Sequence, residues 1–246
     1  MLNTLAVVQI RAERLPPRWS TWRGLGGKSL VEWVVRRVAD CARMDGILVA
    51  CAAAEFERVS PLVPPDVPCF ASQRPDALGQ FTDTLLHVPC LQAVRVCLEH
   101  PFVDPELMDR LVTQAALQPH LDYIGYGTSA GQPAVESPIG CFAELCKTKA
   151  LRIADRDATL PADRAGVTRY LYTHPERFAA QWLPMPTELD RADVRLALWG
   201  DDDREHCEDL YEALDGAVDY QTVTRFLHAQ PHLRRRMAAM NQQEAV

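Results

Sequence analysis

Short, almost wholly apolar runs alternate along this chain with segments of helical spacing, and that alternation limits the fold more than any single motif does. LAVVQI (5–10), GILVACAA (46–53), VPCFAS (67–72) and LQAVRVCL (91–98) have strand length and lack the polar alternation of a strand with one wet face. Between them, LVEWVVRRVADCARM (30–44) and DALGQFTDTLLHVPC (76–90) carry apolar residues three and four apart, and FERVSPLV (56–63) reads as a weaker helix cut by Pro64 and Pro65. Strands apolar on both faces, each followed by a helix, make a parallel sheet covered on both sides. The class is therefore α/β.

The second half continues the pattern. DPELMDRLVTQAAL (104–117) opens with a proline that costs no hydrogen bond in a first helical turn. LDYIGYG (121–127) reads as a strand, 127–139 as a loop, CFAELCKTKALRIA (141–154) as a helix, VTRYLYTHPERF (167–178) as a helix ending at His174-Pro175, and FAAQWLPM (178–185) as a strand. DVRLALWG (193–200) is the last expected strand, followed by helices over DREHCEDLYEAL and YQTVTRFLHAQ. No repeat, low-complexity tract or linker interrupts the chain, so the expectation is one domain over 1–246 with helices within 202–240 packed on it.

Composition removes several functions. A net charge of −7 over 246 residues argues against a nucleic-acid coat, no run of about 18 apolar residues is present to span a membrane, and the first residues lack the charged start, apolar stretch and small-residue cleavage site of a signal peptide. A soluble, cytoplasmic protein is expected. The eight cysteines (Cys41, Cys51, Cys69, Cys90, Cys97, Cys141, Cys146 and Cys207) lie in apolar segments without C-x-x-C spacing, the pattern of buried thiols. Arg234, Arg235 and Arg236 read as a solvated helix end favoured by its dipole, and His206 has no evident ligand partner.

Ligands of open parallel sheets bind beyond the carboxyl ends of the strands. The stretch after the first strand, RLPPRWSTWRGLGGKSL (14–30), is basic and contains Gly26-Gly27-Lys28, which is neither a Walker loop nor a dinucleotide fingerprint; a solvated turn before a helix explains it equally well. A triphosphate there would call for Mg²⁺ on carboxylates at other strand ends. Glu99 follows one strand. Asp201-Asp202-Asp203 follows another, although three carboxylates at a helix start also serve its macrodipole.

These segments together resemble the cytidylyltransferase-like family that includes the spore coat polysaccharide biosynthesis proteins F, relatives of the acylneuraminate and deoxyoctulosonate cytidylyltransferases. The likeness runs through VVQIR, LGGKSLVEWVVRRV, DALGQF, AVRVCLEHPFVDPELMDRLV, VTRYLYTHPERF and VRLALWGDDDREHCEDLYEAL. It implies a Rossmann-like nucleotide-diphospho-sugar transferase fold, CTP and a sugar acid as substrates, Mg²⁺ as cofactor, and a homodimer such as related enzymes form. Of the family's phosphate loop, Gln9 and Arg11 match, Arg14-Leu15-Pro16 matches after a two-residue shift, and Gly-Lys has become Pro17-Arg18. The metal-binding Asp of T-G-D-C-P-L-I-D-P falls on Glu99, the second metal Asp on Trp199, and the family's R-E-H-V-T on Arg164-Ala165-Gly166-Val167-Thr168. An indole cannot ligate Mg²⁺.

Two functions follow from the resemblance. In the first, a divergent nucleotidyltransferase holds the triphosphate with Arg11, Arg18 and Lys28, and with Gln9, Gly26 and Gly27 around it. Glu99 binds the metal, and Asp201 or Asp203 replaces the missing carboxylate. In the second, an inactive member binds a nucleotide, sugar or partner protein in the altered cleft, with Trp19, Trp22 and Trp199 filling or lining it. A glycosyltransferase using Asp201-Asp202-Asp203 as its metal pair is a third reading, though that run lies at the wrong strand.

Overall fold

The computed structural model describes residues 1–244. Seven strands form one sheet: β1 (Leu2–Gln9), β2 (Gly46–Ala52), β3 (Cys69–Ser72), β4 (Cys90–Cys97), β5 (Tyr123–Gly127), β6 (Glu144–Lys147) and β7 (Ala180–Pro184), in the order β3-β2-β1-β4-β6-β5-β7. All neighbouring pairs are parallel except those of β6, which runs antiparallel to both β4 and β5. The mostly parallel α/β sheet expected from the sequence is what forms.

Period-two alternation divides the strand side chains between two apolar layers. Ala6 and Val8 of β1, with Ile10 just beyond it, join α1 (Leu30–Ala39) and α4 (Pro105–Leu117), together with residues of the C-terminal helices α8 (Asp201–Ala213), α9 (Tyr220–His228) and α10 (Pro231–Glu244). Leu5 and Val7 face α3 (Ala77–His87), α5 (Thr148–Asp157) and α7 (Arg169–Thr173) on the other side. The short helices α2 (Phe56–Val59) and α6 (Pro161–Ala165) complete the set. The long helices begin where side chains satisfy free amides: Ser29 Oγ accepts from Glu32 N at 3.0 Å, Asp76 from Gly79 N at 2.9 Å, and Asp104 from Glu106 N and Leu107 N at 3.0 and 3.1 Å.

Three expectations change. The expected helix over 141–154 is a strand followed by a helix: residues 144–147 pair with β4 and β5, and α5 starts only at Thr148. Its residues have good helix propensity, and sheet pairing overrides it. The run 193–200 is extended but outside the sheet, crossing its end instead, with Leu196 N and Ala197 N donating to Pro138 O at 2.9 Å and Leu198 N to Glu99 O at 2.7 Å. Gly140 permits that crossing. Its φ is +68°, and a β-carbon there would lie 2.3 Å from Ala197 N. Arg234 to Arg236 belong to the first turns of α10, where Arg234 pairs with Asp193 and Arg236 with Glu205, so they do not serve a helix C-terminus.

Candidate nucleotide cleft

β1 and β4 are neighbours, so their carboxyl ends bring Gln9 and Glu99 to the same edge of the sheet. Beneath them, Arg95 of β4 is completely buried. Its Nε donates to Gln9 Oε1 at 2.8 Å, Nη1 pairs with Glu144 of β6, and Nη2 lies 3.9 Å from Glu136 Oε1. Glu144 also accepts from Tyr123 and Thr168 hydroxyls, each at 2.8 Å. Burial opposes the charge on Arg95, yet the groups around it, Glu144 and Glu136 among them, hold its pKa well above the usual guanidinium value.

Arg14 comes from the loop after β1. Its Nη2 donates to Glu136 Oε2 at 2.7 Å and its Nη1 stands 3.6 Å from Glu99 Oε1. Burial disfavours the charged form, but Glu136 and then Glu99 outweigh it and raise the pKa. Burial also works against the Glu136 carboxylate, which Arg95, Arg14 and Arg11 nevertheless keep below its ordinary value. Glu99 is fully buried, and neither carboxylate oxygen receives a hydrogen bond. Three arginines thus face three glutamates: Arg11, Arg14 and Arg95 against Glu99, Glu136 and Glu144. Arg11 is itself paired with Glu13 at 3.2 Å.

Arg18 and Lys28 differ from this group, because neither has a carboxylate partner among the described residues. Arg18 is exposed with φ +64°, and it lines an open hollow of about 610 Å³ with Gly26, Gly27, Trp22, Arg23 and Arg204. Gly26 and Gly27 form the tight turn closed by Lys28 N donating to Leu25 O at 3.2 Å, packed against Tyr211 of α8. The hollow also contains Glu208 and Glu212.

The sequence-based metal set is not brought together. Asp203 is buried and bidentate with Arg195 at 2.6 and 2.9 Å, and it accepts from Trp199 N and Gly200 N at 3.0 and 2.8 Å. It is the structural cap of α8, and it has no lone pair aimed at a cleft ion. Asp201 is exposed and pairs with Arg204 at 2.7 Å. Trp199 directly follows the residue whose amide binds the Glu99 carbonyl, the place where the family pattern puts its second carboxylate, and Arg195 lies 5.3 Å over its ring. Among the described residues, no three His, Cys, Asp or Glu side chains converge as a metal site. Neither Asp201 nor Asp203 therefore joins Glu99 in the two-carboxylate Mg²⁺ site expected from the sequence.

Trp19 and Trp22 are buried in the core. The Trp22 indole N–H bonds Glu208, and Arg58 lies 5.2 Å over the Trp19 ring. Both therefore pack the loop against the protein. His100 is likewise structural, with Nδ1 3.0 Å from Phe142 O and burial holding the imidazole pKa below its ordinary value. Sequence reasoning passed over Arg95, Glu136 and Glu144. The signal for two of them was a single charge inside LQAVRVCL and inside CFAELC, because a lone charge in a buried run needs a partner.

A mixed seven-stranded sheet with one antiparallel strand and a ligand edge at the ends of β1 and β4 defines a nucleotide-diphospho-sugar transferase fold. A model of the cytidylyltransferase family matches residues 21–228, and the chain belongs to that family. It is 25% identical over 221 residues to the spore coat polysaccharide biosynthesis protein SpsF of Bacillus subtilis (strain 168), covering 86% of this chain and 88% of that one. Among solved structures it is similar to a cytidylyltransferase from Leptospira borgpetersenii serovar Hardjo-bovis, with TM-score 0.76 and 16% identity over 94% and 95% of the two chains. It is also similar to a CMP:2-keto-3-deoxy-manno-octonic acid synthetase complexed with CTP, with TM-score 0.63 and 10% identity over 86% of this chain and 98% of that one. No helix among the described residues is long and apolar enough to cross a membrane.

Proposed function

We propose that the protein is a divergent nucleotidyltransferase that binds a nucleoside triphosphate, CTP first, and transfers its nucleotidyl group to a sugar or sugar acid for glycan synthesis. The observation that carries this reading is that Arg18 and Lys28, on the loop beyond the first strand, have no carboxylate partner among the described residues. A cation without a carboxylate partner is free to take a phosphate oxygen, and arginine does so bidentately. Family membership, the name of SpsF as a polysaccharide biosynthesis protein and the CTP complex of the structural relative support the choice of base and acceptor.

In the proposed reaction an acceptor hydroxyl oxygen attacks the α-phosphorus in line and its proton passes to solvent. The bond from that phosphorus to the bridging oxygen breaks, and pyrophosphate leaves with the charge that develops. In this reading Arg11, Arg18 and Lys28 offset that charge, and the protein acts by positioning and electrostatics without a nucleophilic side chain. Gln9, held by Arg95, orients the end of β1. No step is assigned to a metal.

A second reading has its own observation. Trp199, the residue after Leu198, whose amide donates to the Glu99 carbonyl, occupies the position where a carboxylate is expected, and Asp203 is bound to Arg195, which favours a member that binds nucleotide or sugar without transferring it. Pyrophosphate release from CTP in the presence of a panel of sugar acids decides between them. Release that depends on both substrates and falls in R18A supports the transferase. Nucleotide binding with no release over the whole panel supports the binding protein.

A further inference from the structure

Glu99 poses a physical problem that the family resemblance does not answer. Its carboxylate is fully buried, both oxygens lack hydrogen bonds, and the nearest cation, Arg14 Nη1, stands 3.6 Å away, outside hydrogen-bonding distance. A buried carboxylate in that state needs a compensating charge. Arg14 meets a second carboxylate at the same time, because its Nη2 is 2.7 Å from Glu136 Oε2. One guanidinium therefore lies against two glutamates that come from different parts of the chain, one following β4 and one on the turn 134–136. Its remaining surface is open, with the Arg14 side chain 33% exposed and that of Glu136 28% exposed.

We propose that Arg14 is a built-in cation that occupies the acidic end of the cleft and excludes divalent metal, and that its removal uncovers a metal site on Glu99 and Glu136. Both carboxylates supply the hard oxygen ligands that Mg²⁺ and Mn²⁺ take, and both Glu99 oxygens are without a hydrogen bond. While the guanidinium is present, a divalent ion entering that space meets a fixed positive charge at contact distance, so occupancy by one excludes the other. The inference deepens the proposed function, making nucleotide binding independent of metal, and to that extent rests on it. Its test uses no nucleotide, so the two fail separately.

The experiment is titration of Mn²⁺ into the nucleotide-free full-length protein, followed by electron paramagnetic resonance of the free ion. Wild-type protein is expected to show no Mn²⁺ binding that E99Q abolishes. R14Q is expected to bind Mn²⁺ about tenfold or more tightly than wild type, the consequence of removing one adjacent positive charge, and R14Q/E99Q is expected to lose that gain. Circular dichroism melts establish that each variant is folded. A folded R14Q that binds Mn²⁺ no better than wild type overturns the proposal. So does Glu99-dependent Mn²⁺ binding by the unaltered protein, a comparison that does not depend on any Arg14 variant folding.

Discussion

Arg95→Met removes a fully buried guanidinium and leaves its partners in place. Glu144 loses its paired charge but keeps the hydroxyl donors of Tyr123 and Thr168, each at 2.8 Å, while Gln9 Oε1 loses a 2.8 Å bond and Glu136 loses one of its neighbouring cations. Breaking a buried ion pair from one side costs about 3–5 kcal/mol, and the two remaining hydroxyl donors put this case near the lower end, about 3 kcal/mol. For a chain of this size each kcal/mol moves the melting temperature by about 2–4 °C, so R95M should melt about 6–12 °C below wild type. The double variant R95M/E144Q keeps the hydroxyl contacts and removes the stranded charge, and should recover at least half of the loss. Thermal melts by circular dichroism at neutral pH read both. R95M melting within about 2 °C of wild type, or the double variant melting as low as the single one, refutes the reasoning.

Two further perturbations follow from other parts of the structure. Asp203→Asn halves the charge complement of a buried bidentate pair with Arg195 and weakens the cap of α8, with an expected loss of about 3 kcal/mol in urea unfolding; an unchanged midpoint contradicts the structural role given to Asp203. Acidification should act through buried imidazole and carboxylate groups in sequence. Burial holds the His100 pKa below 6.5 in the folded protein, so its stabilising contribution is complete above 6.5 and is lost as pH falls through that value toward the folded-state pKa. Glu136 follows at lower pH: its folded pKa lies below 4.5, so its contribution is present above 4.5 and disappears as pH falls toward the depressed value. Melting temperatures from pH 8 to 4 should fall on acidification, and H100N, which keeps a donor to Phe142 O, should flatten the first part of the decline. A flat wild-type profile down to about pH 5 would show that His100 is not linked to folding.

Much of the scaffold was readable because burial on both faces writes strands as apolar runs, and β1, β2, β3 and β4 all lie within or close to the runs that announced them. β6 escaped because a four-residue antiparallel strand fused to the start of a helix has no periodicity of its own, and only its neighbours β4 and β5 make it a strand. Residues 193–200 misled for the opposite reason. Their buried side chains read as a strand, but their amides bond to Pro138 and Glu99 across the sheet's end. In the site, the position of Glu99 was legible from the family pattern, whereas the partners of Arg14 depended on a turn 122 residues away, which no local reading could place. Asp201-Asp202-Asp203 shows how residue type can overstate chemistry: the carboxylates are present, and the helix start and two arginines use two of them.

In the proposed function the cleft binds a cytidine nucleotide with arginine and lysine charges. Isothermal titration of CTP into the full-length protein in the presence of EDTA measures this binding. Saturable binding is expected that added Mg²⁺ changes by less than about threefold and that R18A weakens by about tenfold. The absence of CTP binding with or without Mg²⁺ contradicts it.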